Sequence, residues 1–352
     1  MKRILRSVYA WGLLILTVVA MIVIIFLAMP SLDNLITAVV GTALSLMVVP
    51  MVHELGHAAF ACLGRMEIVY CKFFAFKFYR KNEKLCFGFA NPLAPEETQV
   101  LPKGSENMQK RAYRYTIGGL AFSGALLALL LGASILAWCL GSGGYAVCSW
   151  LPYAAYLFLL NVAPFEYPSG KTDALVARGI RKQEPVEQTM INLMRIHGGL
   201  QEGKSYGELE EEFYFSAPQI PVDEPLYVAI LDARYCFYLE KKDVEKAYDC
   251  LKRIRAAGEY LTKEEVFALE RNLAYICLLK GSDAVLKKAV HNDEKAWQAD
   301  DVAVKRILAV YMCGCGDDQH TAALVAQAEA LLPKLYPLGL RKHEEILLSR
   351  IN

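Results

Sequence analysis

The chain has 352 residues, with 38 Lys plus Arg against 37 Asp plus Glu and a formal net charge of +1, so bulk charge gives no case for a nucleic-acid partner. Hydrophobic residues make up 55% and the mean hydropathy is +0.26. Together with long uncharged runs, that composition excludes a secreted disulfide scaffold and a disordered chain and points to a membrane protein. The ten Cys show no repeated C-x-x-C spacing and read as reduced thiols.

In chain order, no charge occurs between Arg6 and Asp33, and this apolar run is long enough to cross a roughly 30 Å hydrocarbon core. It reads as a retained first span over residues 7–30. A cleaved signal peptide would have a shorter apolar run and a small-residue cleavage site. A second uncharged run of 19 residues, 34–52, continues in helical pattern to about Leu63, giving a second span over 34–63. A third stretch of 51 uncharged residues, 115–165, is too long for one helix, and Gly141-Ser142-Gly143-Gly144 divides it into spans at 115–140 and 145–165. Pro152 and Pro164 in the fourth span suggest a kink or an unwound stretch.

Basic residues set the orientation. The start carries Lys2, Arg3 and Arg6 with no acid, and residues 64–114 carry ten basic and five acidic residues, whereas the other two connections hold only Asp33. The positive-inside bias then places both termini on the cytoplasmic side of a multi-pass protein. The short chain fits a bacterial plasma (inner) membrane.

Between the second and third spans, aromatic and β-branched residues flank Lys81-Asn82-Glu83-Lys84. They read as a membrane-associated β-hairpin with one long strand over 68–79 and another over 85–89. Such a hairpin can present an extended substrate by strand addition, or lie as a basic amphipathic element on the membrane surface.

After Phe165 the composition changes to 25 basic and 30 acidic residues with no run able to span a bilayer. The expected division is a membrane-embedded domain over 1–180 and a soluble helical cytosolic domain over 181–352, and the fold class is mainly α. Tyr235-Cys236-Phe237, Tyr275-Ile276-Cys277 and Tyr311-Met312-Cys313 recur, each followed by Asp243, Asp283 or Asp318. The recurrence suggests stacked helix pairs of tetratricopeptide-like kind, or an unrelated helical bundle, able to bind a cytosolic protein partner.

The chemistry concentrates at His53-Glu54-Leu55-Gly56-His57, an H-E-x-x-H at the end of an apolar span, where ionisable residues are costly. On a helix this spacing stacks both imidazoles on one face, able to share Zn2+ while Glu54 lies beside the metal's water. A catalytic zinc takes three protein ligands as a rule, so one more donor is required. The end of span four, Asn161-Val162-Ala163-Pro164-Phe165-Glu166 through Asp173, returns to the same side. By position alone either Asp173 or Glu166 serves.

An H-E-x-x-H in one span, a Gly-rich segment opening the next and an N-x-x-P leading to an Asp after a later span together resemble the site-2 protease family of intramembrane zinc metalloproteases. The resemblance covers roughly residues 33–174. It implies Asp173 as third zinc ligand and Glu54 as catalytic base. Two departures stand out: the insertion from Phe165 to Thr172 lengthens the gap before the Asp, and Ala174 follows where the family has Gly. The segment from Thr116 to Gly124 lacks the family's Pro and Asn but keeps Gly119 and Ser123, which at i, i+4 read chiefly as close-packing residues.

The expected function is therefore an intramembrane zinc endopeptidase. It would cleave a transmembrane or membrane-associated peptide near the cytosolic face, with His53, His57 and Asp173 holding zinc and Glu54 moving the proton. Asn161 is a candidate substrate-binding residue, against the plainer role of satisfying a helix carbonyl. Two alternatives carry different expectations. A prenyl-processing type of membrane metalloprotease would use Glu166 as third ligand. A non-catalytic membrane adaptor of the same fold would recruit a client through the helical domain and would not need Glu54.

Overall fold

The structure is a computed structural model that describes residues 2–81, 84–91, 97–141, 144–167, 170–292 and 297–351. The centre of the expected hairpin turn, residues 82–83, and the middle of the glycine-rich break, residues 142–143, lie outside the described residues. The chain divides into two compact units, 1–101 with 107–184 and 102–106 with 185–352.

Among the described residues of the first unit, four helical segments are long and apolar enough to cross a membrane: Ser7–Ala28, Leu32–Leu63, Met108–Cys139 and Tyr145–Val162. They fall within helices α1 (Lys2–Ala28), α2 (Leu32–Leu63), α3 (Met108–Cys139) and the pair α4 (Tyr145–Cys148) and α5 (Leu151–Val162). Their apolar side chains point outward, with Trp11, Leu16 and Phe26 each more than 60% exposed, the arrangement lipid rather than water would solvate. Helix α3 begins seven residues before the expected span, because its first turns carry Lys110, Arg111 and Arg114, which an apolar-run criterion cannot see. Arg111 covers the open C-terminal end of α2. Its guanidinium donates from Nε to the Gly64 carbonyl at 2.6 Å and from Nη2 to the Arg65 carbonyl at 2.7 Å.

The prolines act differently from the expected kink. Pro152 stands in the first turn of α5, where a missing N–H costs nothing, and the break precedes it at Ser149 and Trp150. Pro164 ends the helix by forcing Ala163 into extended geometry, φ −78° and ψ 126°. The interior proline is Pro50, one turn before His53, and it leaves the Leu46 carbonyl without its helical donor.

The expected two-stranded hairpin is replaced by a four-stranded sheet in the order β3-β2-β1-β4, made of β1 (Met66–Phe73), β2 (Phe76–Lys81), β3 (Lys84–Phe89) and β4 (Glu97–Pro102). The single long strand expected over 68–79 folds back at Phe74-Ala75, since Phe73 pairs with Phe76 and Phe74 takes a left-handed φ of 50°. An aromatic residue at that position carries no turn signal, which is why alternation alone runs straight through it. Phe76, Phe78, Phe87 and Phe89 gather on one sheet face and remain exposed.

The second unit is helical. Leu226–Glu240 and Val244–Ala256, then Lys263–Leu279 and Ala284–Asn292, then Val302–Gly314 and Asp318–Leu331, pack as successive antiparallel helix pairs. Each recurrent Tyr lies in the first helix of a pair, and Asp243 caps the second helix of the first pair by accepting from Lys246 N. Buried Leu231, Leu251, Ile276, Ile307 and Leu347 join these pairs to the last helix, Leu338–Leu348, in one core.

That core also encloses an ion pair, Arg306 Nε to Glu344 Oε2 at 2.7 Å, with the guanidinium 4.2 Å from the Tyr275 ring centroid. Burial disfavours the Glu344 carboxylate, but Arg306 outweighs it and holds the pKa below the ordinary value. Removing the cation alone strands a buried anion, so Arg306→Met is expected to cost about 3–5 kcal/mol in chemical denaturation of the full chain. The double change Arg306→Met with Glu344→Leu should recover most of that loss. With the folded pKa depressed, the pair's contribution is complete above the unfolded Glu value and is lost as pH falls through the folded one, so the wild-type advantage over the double variant should shrink in acid.

Candidate metal centre

Helix α2 places His53 and His57 one turn apart on its buried face, both 7% exposed. Their Nε2 atoms are 3.3 Å apart, and Asp173 Oδ2 lies 3.2 Å from His53 Nε2 and 3.4 Å from His57 Nε2. These three residues form the one group of potential metal ligands found among the described residues. Glu166, the competing candidate by position, is not part of it and lies exposed on a small β-hairpin.

That hairpin explains how a lengthened gap still delivers the carboxylate. Strands β5 (Glu166–Tyr167) and β6 (Gly170–Lys171) pair antiparallel. The Thr172 N–H donates to the Phe165 carbonyl at 3.0 Å, and Thr172 Oγ1 donates to the Ala163 carbonyl at 2.7 Å. The insertion is thereby looped out, and the chain resumes beside Phe165. Asp173 then opens helix α6 (Asp173–Lys182), whose first turn favours a carboxylate.

The donor set fits a small cation. The His57 Nδ1 lies 2.9 Å from the Tyr115 carbonyl, which can only accept, so Nδ1 carries the proton and, in the neutral ring, Nε2 keeps its lone pair. With His53 Nε2 likewise turned to the cluster as a ligand atom, its Nδ1 would carry the proton, and it lies 2.8 Å from Ser123 Oγ. Three lone-pair-bearing atoms then face one another at 3.2 to 3.4 Å, an arrangement that repels unless a proton or cation stands between them. Tetrahedral zinc with ligand distances of about 2.0–2.1 Å requires ligand atoms about 3.3–3.4 Å apart, the spacing found.

Glu54, next to His53, turns its carboxylate toward the sheet, where Oε2 accepts from Thr98 Oγ1 at 2.6 Å. Thr98 belongs to β4, and its carbonyl accepts the Tyr115 hydroxyl. Asn161 takes the plainer of its two expected roles, donating Nδ2 to the Leu157 carbonyl one turn back at 3.1 Å.

The glycines of this region do more than the packing first assigned to them. A Cβ on Gly56 would overlap the Gly118 carbonyl, and one on Gly118 would press on the Gly56 carbonyl, so α2 and α3 meet backbone to backbone beside His57. A Cβ on Gly119 would overlap His57 Nε2 and come within 2.7 Å of His53 Nε2. Gly119 thus forms the floor of the cluster. Gly119→Ala is expected to weaken metal binding by about 10- to 100-fold, the range typical of damaged outer-shell support, in a competitive zinc titration of the purified chain. Ser123, Tyr115 and Thr98 were not identifiable as site residues from the sequence. Each reaches the site through a contact 44 to 70 positions away, and a Ser, a Tyr and a Thr carry no spacing signal.

No known protein family, curated protein or solved structure matches the chain.

Proposed function

We propose that the chain is an intramembrane zinc endopeptidase resembling the site-2 protease family, with His53, His57 and Asp173 as metal ligands. The observation that carries this reading is the convergence of those three donor atoms at zinc spacing, beside an acidic residue, on a helix long and apolar enough to lie in a bilayer. A zinc bound there would polarise the scissile carbonyl and acidify a water molecule. Glu54 accepts the water's proton as it attacks and returns it to the leaving amine. Tyr115 and Ser123 fix the two imidazole rings, and Gly119 keeps the space in front of them open.

Peptide bonds in a substrate helix are masked by their own hydrogen bonds, so the cleaved segment must be held extended. Strand β4, at one edge of the sheet and bonded to Glu54 through Thr98, would hold it so by strand addition. The exposed Phe76, Phe78, Phe87 and Phe89 suit the bilayer interface. In this reading the basic sides of the membrane unit, both termini and the helical second unit are cytoplasmic. The stacked helix pairs form a tetratricopeptide-like array that engages a cytosolic protein partner.

The test is zinc stoichiometry of the purified full chain, together with cleavage of a panel of co-expressed single-span substrates. One zinc per chain, and cleavage lost on chelation and restored by zinc, is the expected result. A chain that binds no zinc overturns the proposal.

A further inference from the structure

Thr98 occupies an unusual junction. It is buried at 6% exposure on the sheet's edge strand, and its hydroxyl proton is committed to Glu54 Oε2 at 2.6 Å. With that proton committed, the Cys71 thiol 3.3 Å away is the donor to Thr98 Oγ1. The Thr98 carbonyl accepts the Tyr115 hydroxyl, and the carbonyl of the same Tyr115 accepts from His57 Nδ1. Two hydrogen-bonded arms therefore leave Thr98. One ends on the acidic side chain beside the metal cluster and the other on a metal-binding imidazole.

From this geometry we infer that Thr98 is a positioning residue for Glu54, holding one carboxylate oxygen so that the other is aimed at the reacting water. The inference rests on the protease reading and deepens it. A glutamate on a helix has three rotatable side-chain bonds, and in an apolar setting an unanchored carboxylate turns toward any available donor. A hydrogen bond to the charged form selects one rotamer, and the buried hydroxyl of a β-branched residue with restricted χ1 supplies it from a fixed position. The donor sits on the strand that would pair with substrate, so the segment that aligns the peptide also aligns the base. Cys71, on β1, donates to the same hydroxyl oxygen and so does not compete for its proton.

The test compares Thr98→Val and Thr98→Ser in the full chain with wild type. It measures kcat, KM, bound zinc and the melting-temperature shift produced by a simple hydroxamate, a zinc-directed ligand whose proton Glu54 would accept. Thr98→Val should lower kcat by about 10- to 100-fold, the scale of a base misplaced by about 1 Å, with KM and zinc content unchanged. It should also reduce the hydroxamate shift, as Glu54→Gln should. Thr98→Ser should restore both. Wild-type kcat and hydroxamate response in Thr98→Val would overturn the inference, as would a loss that includes zinc and is not rescued by Ser, since that describes a strut for the fold. Should wild type bind zinc and cleave no substrate, the protease reading falls, and the hydroxamate comparison still decides whether Thr98 orients Glu54.

Discussion

Glu54→Gln is expected to remove cleavage while leaving zinc bound. Gln keeps the size of the side chain and still offers an oxygen to the Thr98 hydroxyl, so the contact at 2.6 Å can persist. It cannot take a proton from water at neutral pH, and a positioned general base contributes about 10²–10⁴-fold to rate. None of the three converging donor atoms belongs to Glu54, so bound metal should match wild type. The measurement is cleavage of single-span substrates with zinc quantified in the same preparation. Loss of cleavage with retained zinc supports the assignment of Glu54 as base. Equal cleavage in both proteins would move the base elsewhere, and zinc-loaded wild type that cleaves nothing in the panel would favour the adaptor, whose fold has no use for this carboxylate.

The helical layout was legible because it follows from one-dimensional rules. Long uncharged runs predicted all four apolar helical segments to within a few residues, except that α3 starts at Met108, where a charged first turn hides a helix from any apolar criterion. The H-E-x-x-H spacing made the pairing of His53 and His57 on one helix face legible for the same reason, since i, i+4 is a local relation. The sheet was legible only in part. The reversal at Phe74-Ala75 contains none of the Gly, Asn or Pro that announces a turn, and β4 joins β1 across an intervening segment that alternation cannot bridge. The supporting residues of the site were invisible for a further reason. Ser123, Tyr115 and Thr98 act through contacts fixed by the crossing of α2 and α3 and by the sheet edge, and that crossing depends on Gly56 and Gly118. Two glycines in long apolar helices look like ordinary small-residue packing until the partner helix is in place.

Asp173→Ala is expected to lose zinc, and Glu166→Gln to keep it. The carboxylate of Asp173 supplies the third donor, and its Oδ2 is buried with no hydrogen-bond partner of good geometry among the described residues. An anionic oxygen left so, against two imidazole nitrogens, is the mark of a group shaped for a cation. With Ala at 173 two histidines remain, and affinity should fall by more than the roughly 10- to 100-fold that loss of outer-shell support produces. The competing carboxylate lies outside the cluster on the exposed β5–β6 hairpin, whose closure through Thr172 carries the chain past it and places Asp173 at the start of α6. Shortening that hairpin while keeping Phe165 and Thr172 adjacent should therefore retain metal, because their contact, not the loop's length, positions the carboxylate. Zinc titration of the three full-length variants separates the possibilities. Loss confined to Glu166→Gln would replace this ligand set with that of the prenyl-processing type, whereas loss confined to Asp173→Ala leaves the looped-out insertion as the reason a lengthened motif still closes the site.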